Sequence, residues 1–231
     1  VQAKDLALGS VDFMLEKMLE NETLFRVYHT GTCIISAFLE DYASLCLASL
    51  RAFDVTQERK YLKSAEDLAE IVFKKFKNEK SPLFYSTSIE DNQVNVRKVG
   101  YQDNVIPSAN AVMAECLFKL GHLLLKTDYI EHSKRMVGTV YQSMGRDIEF
   151  FSFWGRLYQQ MAGKYFEIVV TGPNAQVNLN KINSWFLPGK VVVLAGEKDD
   201  LFLAKGKFNS ENDRFYICEQ GLCHSPIHNI D

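Results

Sequence analysis

Proline is scarce in this chain, with 5 in 231 residues, which leaves room for long unbroken helices. Cysteine is scarce as well. Five residues (Cys33, Cys46, Cys116, Cys218 and Cys223) make an odd, sparse count, unlike a disulfide framework. A reducing, cytoplasmic setting is therefore expected. An excess of one charge is missing too: 26 Lys and Arg against 29 Asp and Glu give a formal net charge of -3. With no dense basic stripe, nucleic acid is not expected as a partner. Long apolar runs are absent, because Glu115, Lys119 and His122 interrupt the most apolar helix, so no membrane span is expected. Residues 1–20 carry charges throughout and do not read as a signal peptide. Gly172-Pro173-Asn174 follows a strand, but G-x-G-x-x-G and the Walker lysine pattern are lacking, so a plain βα turn suffices and no cofactor is expected.

What is present is a helical pattern. At 47% hydrophobic and 24% charged the chain can bury a sizeable core. Residues 3–20 form a first amphipathic helix on Leu8, Val11, Leu15, Met18 and Leu19. Residues 21–31 read as an irregular or short extended connection. A second helix is expected from about Ile34 to Phe53, and a third follows to Phe76 with Thr56 as its N-cap. Leu83–Ser86 and Val94–Val99 read as a short β-hairpin closed by Glu90-Asp91-Asn92.

Residues 101–110 lead into the most regular helix. Pro107 and Ser108 mark its start, and Ala109, Val112, Met113, Cys116, Leu117 and Leu120 fall on one stripe. Cys46 and Cys116 lie on apolar helical faces and are expected to be buried. Two further helices are expected to about Met144 and from Ile148 to Ala162. Beyond Gly163 the period changes. Residues 165–170, 174–186, 190–194 and 215–218 read as strand, helix, strand and strand. The expected architecture is mainly α: about six helices in αα-hairpins over residues 1–163, then a small α/β subdomain over 164–231.

Several of these segments resemble a known family. Phe38-Leu39-Glu40-Asp41-Tyr42-Ala43 and Asp103-Asn104-Val105-Ile106-Pro107-Ser108-Ala109-Asn110 are similar to paired elements of the thioredoxin-domain-containing YyaL-type family, the spermatogenesis-associated thioredoxin-like proteins. Phe166 to Gly172, Phe186-Leu187-Pro188, and Tyr216-Ile217-Cys218 with Cys223 and Pro226 resemble further elements in the same order. The resemblance implies an (α/α)6 toroid similar to N-acylglucosamine 2-epimerases and six-hairpin glycosidases. It also implies that a thioredoxin-like domain and the first half of the toroid are missing from this chain. The expectation is thus a C-terminal piece whose uncovered helical faces could support a homodimer.

Two functional readings follow. In the first, the toroid binds or modifies a small sugar. Asp41 and Asp103 act as acid and base, and His29, Glu40, Tyr101, Asn104 and Asn110 contact substrate. Structural roles compete at each position, since a carboxylate beside a helix start is more often a cap. In the second, the chain is a non-catalytic helical scaffold of a redox-linked protein, with Cys218 and Cys223 as a thiol pair. Cys218-x4-Cys223-His224-x3-His228 also invites zinc, but the adjacent Cys-His pair fits a tetrahedral site poorly, and no metal is expected.

Overall fold

The structure is a computed structural model describing residues 2–91 and 96–230. It is mainly α with a smaller sheet region. The helices are α1 (Gln2–Lys17), α2 (Leu39–Thr56), α3 (Arg59–Lys75), α4 (Ala109–Leu124), α5 (Thr127–Met144), α6 (Ser152–Ala162) and α7 (Ala175–Ser184). The strands are β1 (Leu19–Glu20), β2 (Thr23–His29), β3 (Thr32–Ser36), β4 (Phe166–Thr171), β5 (Lys190–Leu194), β6 (Arg214–Glu219) and β7 (Leu222–Cys223). Two compact units result: Val1–Leu117 with His132–Gly155, and Phe118–Glu131 with Arg156–Asp231. No helix among the described residues is long and apolar enough to cross a membrane.

In the first unit, residues 19–36 form an antiparallel sheet in the order β1-β2-β3, more regular than the irregular or short extended connection expected for residues 21–31. Its turns explain the difference. Asn21-Glu22 and Thr30-Gly31 are two-residue loops with both residues at positive φ (48° and 61°, 45° and 84°), the twist that tight hairpins require. Because β3 takes residues 32–36, α2 starts at Leu39 rather than Ile34. Phe38 is extended, and its N–H donates to Asp41 Oδ2 at 2.9 Å, which fixes that start. Thr56 is the last residue of α2, not the cap of α3. Its hydroxyl donates to Ala52 O, and Glu58 occupies the N-cap position of α3. Helices α2 and α3 form an antiparallel hairpin around Phe53, Tyr61, Leu68 and Phe76, all nearly or fully buried. Cys46 and Cys116 are buried and lie outside the disulfide, as their apolar faces require. By contrast α1 buries only Val11, and Leu6 and Phe13 stand exposed.

The expected hairpin over 83–99 falls partly on residues 92–95, outside the described residues. Among the described residues this stretch contains no strand. One ladder-like bond joins Ser86 N–H to Lys98 O. The Arg97 side chain does the rest, donating to Thr87 O and Lys75 O at 2.7–3.0 Å while its guanidinium lies over the Tyr85 ring. The sixth helix is also shorter than expected. Ile148–Phe150 is a separate 3-10 turn, and α6 begins at Ser152.

In the second unit, β5-β4-β6-β7 form one sheet. Strand β4 is parallel to β5 and antiparallel to β6. Helix α7 crosses between β4 and β5, and Leu179 and Ile182 pack with Ile168, Val170, Val192 and Phe215. The Gly172-Pro173-Asn174 turn is closed by protein groups: Asp213 Oδ1 accepts the Asn174 N–H, and Oδ2 accepts its side-chain amide. The Asn174 N–H beside Asp213 lowers the pKa of this carboxyl.

Candidate functional site

The residues singled out by sequence separate into distinct local environments. Asp103 is buried, and both its oxygens are in use. Oδ1 accepts the Ser108 N–H at the mouth of α4, and Oδ2 accepts the Phe153 N–H at the start of α6, each at 2.9 Å. Ser108 Oγ caps Ala111 N–H. Asn110 is completely buried and saturated. Its Oδ1 accepts Phe84 N–H, and its amide donates to Phe84 O and Gly100 O at 3.0 and 2.8 Å. The Tyr101 carbonyl accepts the Trp154 indole N–H. Tyr101, Gln102, Asp103 and Asn104 border a shallow recess of about 390 Å³ with Phe150. Asn104 is exposed.

Asp41 is held in another setting. Besides capping Phe38, it lies 3.5 Å from Arg26 Nε, and Arg26 also pairs with Glu40. Partial burial raises the Asp41 pKa, while the Phe38 N–H and Arg26 oppose that shift. His29 is exposed at the end of β2, beside the Thr30-Gly31 turn. The recess beside Asp103 is lined by neither Asp41, Glu40 nor His29.

A larger cleft of about 450 Å³ opens where β3 passes into α2. Lys75 is at its floor. Its side chain is only 5% exposed, and Nζ donates to Thr23 Oγ1 at 3.0 Å and pairs with Glu90 Oε2 at 2.9 Å. Tyr42 lines the same cleft, and its hydroxyl oxygen accepts Leu24 N–H. Burial raises the pKa of that phenol. Ile35, on the rim, has φ 64°, a conformation a β-branched residue rarely takes. Among the described residues the lining holds hydroxyls, the buried Lys75 and carboxylates, and neither His nor Cys. Such a donor set can hold a small polar molecule. Lys75 carried a sequence signal that went unread: it sits seven residues after Leu68 and three after Val72, on the apolar stripe of α3.

In the second unit, Cys218 and Cys223 face each other across β6 and β7 and are joined as a disulfide. No group of three or more His, Cys, Asp or Glu among the described residues is arranged to hold a metal ion.

The chain is similar to spermatogenesis-associated protein 20. It shares 27% identity with the Rattus norvegicus protein and 25% with the Homo sapiens protein, in each case over 202 residues, or 82% of this chain. An uncharacterized Caenorhabditis elegans protein, B0495.5, is 24% identical over 205 residues, or 85% of the chain. The matched part is 26% to 28% of the length of these relatives, so the chain spans about a quarter of each. No family model matches.

Proposed function

We propose that the chain is a non-catalytic helical module of a longer protein of the spermatogenesis-associated protein 20 type, forming part of an (α/α)6 toroid and carrying a redox-active Cys218–Cys223 hairpin. The observation that carries this reading is the use of Asp103. A general acid or base needs a free oxygen to offer a substrate, and both oxygens of Asp103 hold helix-start N–H groups. Asn110 has no amide hydrogen left for a sugar hydroxyl, and Asp41 is committed to Phe38 and Arg26. These residues join elements distant in sequence, which is a scaffold's task. The exposed apolar side of α1, with Leu6 and Phe13, suits contact with other parts of the longer protein or with a second copy.

A second reading is favoured by the Lys75 cleft, whose size and hydroxyl-rich lining suit a small hydroxylated ligand such as a sugar. One experiment separates the readings. The full-length protein is titrated with a panel of monosaccharides and glycans, beside Asp41→Asn, Asp103→Asn and Lys75→Met. The scaffold reading expects no turnover and no ligand whose affinity depends on Asp103. A sugar turned over by the native protein, and about 100-fold more slowly by a folded Asp41→Asn variant, would overturn it. The ligand reading expects a monosaccharide whose Kd rises about tenfold in Lys75→Met, equivalent to about 1.4 kcal/mol.

A further inference from the structure

A buried acid-imidazole pair lies under the C-terminal hairpin and is unused by either reading above. His122 Nδ1 and Glu167 Oε1 are 2.8 Å apart, and both side chains are almost fully buried. Tyr165 stacks on the imidazole at 4.2 Å between ring centroids, and the Phe118 ring meets it edge-on. Glu167 Oε2 accepts the Gly221 N–H at 2.7 Å. The remaining imidazole nitrogen, His122 Nε2, is buried and has no hydrogen-bond partner among the described residues. A buried polar atom in that condition is unusual and costly, so its enclosure is a feature to be explained.

The β6–β7 turn closes on the Glu167 end of this pair through the Gly221 N–H. Gln220 and Gly221 form its two-residue loop at φ 53° and 78°. Gly221 lies against the Leu125 side chain, where an added Cβ would come within 3.3 Å of it. Glu167 is the register partner of Cys218 across β4 and β6, and Cys218 is the register partner of Cys223 across β6 and β7. The disulfide, the turn amide and the buried carboxylate therefore form one connected series. The two sulfurs differ in access: Cys218 is fully buried, while Cys223 belongs to an exposed residue.

We propose that this hairpin is a thiol-disulfide exchange site for a dithiol reductant, that Cys223 is the sulfur attacked, and that reduction uncovers the His122–Glu167 pair. The proposal rests on the redox reading of Cys218–Cys223 and adds the direction of exchange and its consequence. In the first step a thiolate of the reductant attacks Cys223 Sγ. A new S–S bond forms between reductant and Cys223, the Cys218–Cys223 bond breaks, and its electron pair leaves on Cys218. Cys218 then takes up the proton released when the attacking thiol ionised. In the second step the other thiolate of the reductant attacks its own sulfur in the mixed disulfide. Cys223 is freed to take a proton, and the reductant departs as a disulfide. Two electrons have passed from the dithiol to the protein. Without the cross-strand bond, the short β7 strand and its turn lose their covalent tie, and the Gly221 N–H separates from Glu167.

The test uses the full chain, oxidised. Brief exposure to glutathione, acid quenching and peptide mapping should place glutathione on Cys223 at least about tenfold more often than on Cys218, following access of the attacked sulfur. Equal labelling, or labelling at Cys218, would overturn the direction of exchange. After full reduction by dithiothreitol, the Gly221 amide should exchange with solvent at least about tenfold faster, and the His122 ring signals should shift in NMR spectra. Unchanged Gly221 exchange and unchanged His122 signals would overturn the uncovering. Thiol titration of the denatured, unreduced protein keeps the two levels apart. Three thiols, from Cys33, Cys46 and Cys116, mean that the disulfide stands and only the proposal is at stake. Five thiols would remove the disulfide and the redox part of the scaffold reading together.

Discussion

Replacing Asn110 by alanine is the sharpest test of whether residues 101–110 serve structure or ligand. Its amide closes three hydrogen bonds to main-chain atoms of Phe84 and Gly100, at 2.7 to 3.0 Å, from a completely buried position. Alanine would orphan the buried Phe84 N–H and Phe84 O and would release Gly100 O, which belongs to an exposed residue, to water. Each orphaned buried group costs about 1–3 kcal/mol, and partial relaxation should bring the total to about 3–5 kcal/mol. At a urea m-value of about 2–3 kcal/mol/M, the unfolding midpoint should fall by about 1.5 M. Trp154 is buried in the same unit and reports that unfolding by fluorescence, most cleanly with Trp185→Phe as background. Asn104→Ala is the matched control, because Asn104 is exposed and its loss should cost less than about 0.5 kcal/mol. If Asn110→Ala moved the midpoint no further than Asn104→Ala, the three bonds would not be holding the loop, and a ligand role for Asn110 would regain its force.

Asp103→Asn keeps the shape but turns one acceptor into a donor facing a backbone N–H, so it should cost about 2–4 kcal/mol. Calorimetry that showed a loss below about 1 kcal/mol would refute the double cap. Gly121→Ala should destabilise by about 1–3 kcal/mol, because the new Cβ would overlap the Ile130 side chain and lie 3.0 Å from Ile130 N and Lys126 O. Gly138→Ala in α5, with nothing within 4 Å, should instead stabilise by about 0.5–1 kcal/mol, and denaturant titration of both variants checks the contrast. Burial lowers the His132 pKa below its ordinary 6.5, so the folded state keeps the ring neutral. As pH falls below about 6.5 the unfolded chain takes the proton first. Stability should therefore decline until the folded-state pKa is passed and then level off. His132→Phe should remove that part of the slope in a stability-against-pH curve.

Helices and the α/β region were legible because apolar period and length state them directly, as in α3, α4 and the β4-α7-β5 run. The β1-β2-β3 sheet was not. Its turns are Asn21-Glu22 and Thr30-Gly31, and the first lacks the glycine that marks such loops. Arg97 could not be foreseen either, because its bonds to Thr87 and Lys75 carbonyls replace a ladder that only the fold reveals. The opening of α4 was legible as a helix entrance, down to the Ser108 cap. What Asp103 holds was not, since Phe153 lies 50 residues away and nothing in either local pattern points to the other. The Lys75 cleft was hidden for the same reason: Thr23 and Glu90 meet Lys75 only through tertiary packing.

The bonds around Asp103 have a topological consequence. Asp103 N–H donates to Phe150 O, its carboxylate holds Phe153, and Trp154 holds Tyr101 O. These bonds fasten residues 101–103 to residues 150–154 and so close a loop of chain between them. The entropy of closing such a loop grows only with the logarithm of its length. Residues added at the exposed turn near Gly145 should disturb the chain little, whereas one residue inserted between Asp103 and Ser108 would pull these closing bonds apart. This protein should accept new sequence far from its signature motif and refuse it within.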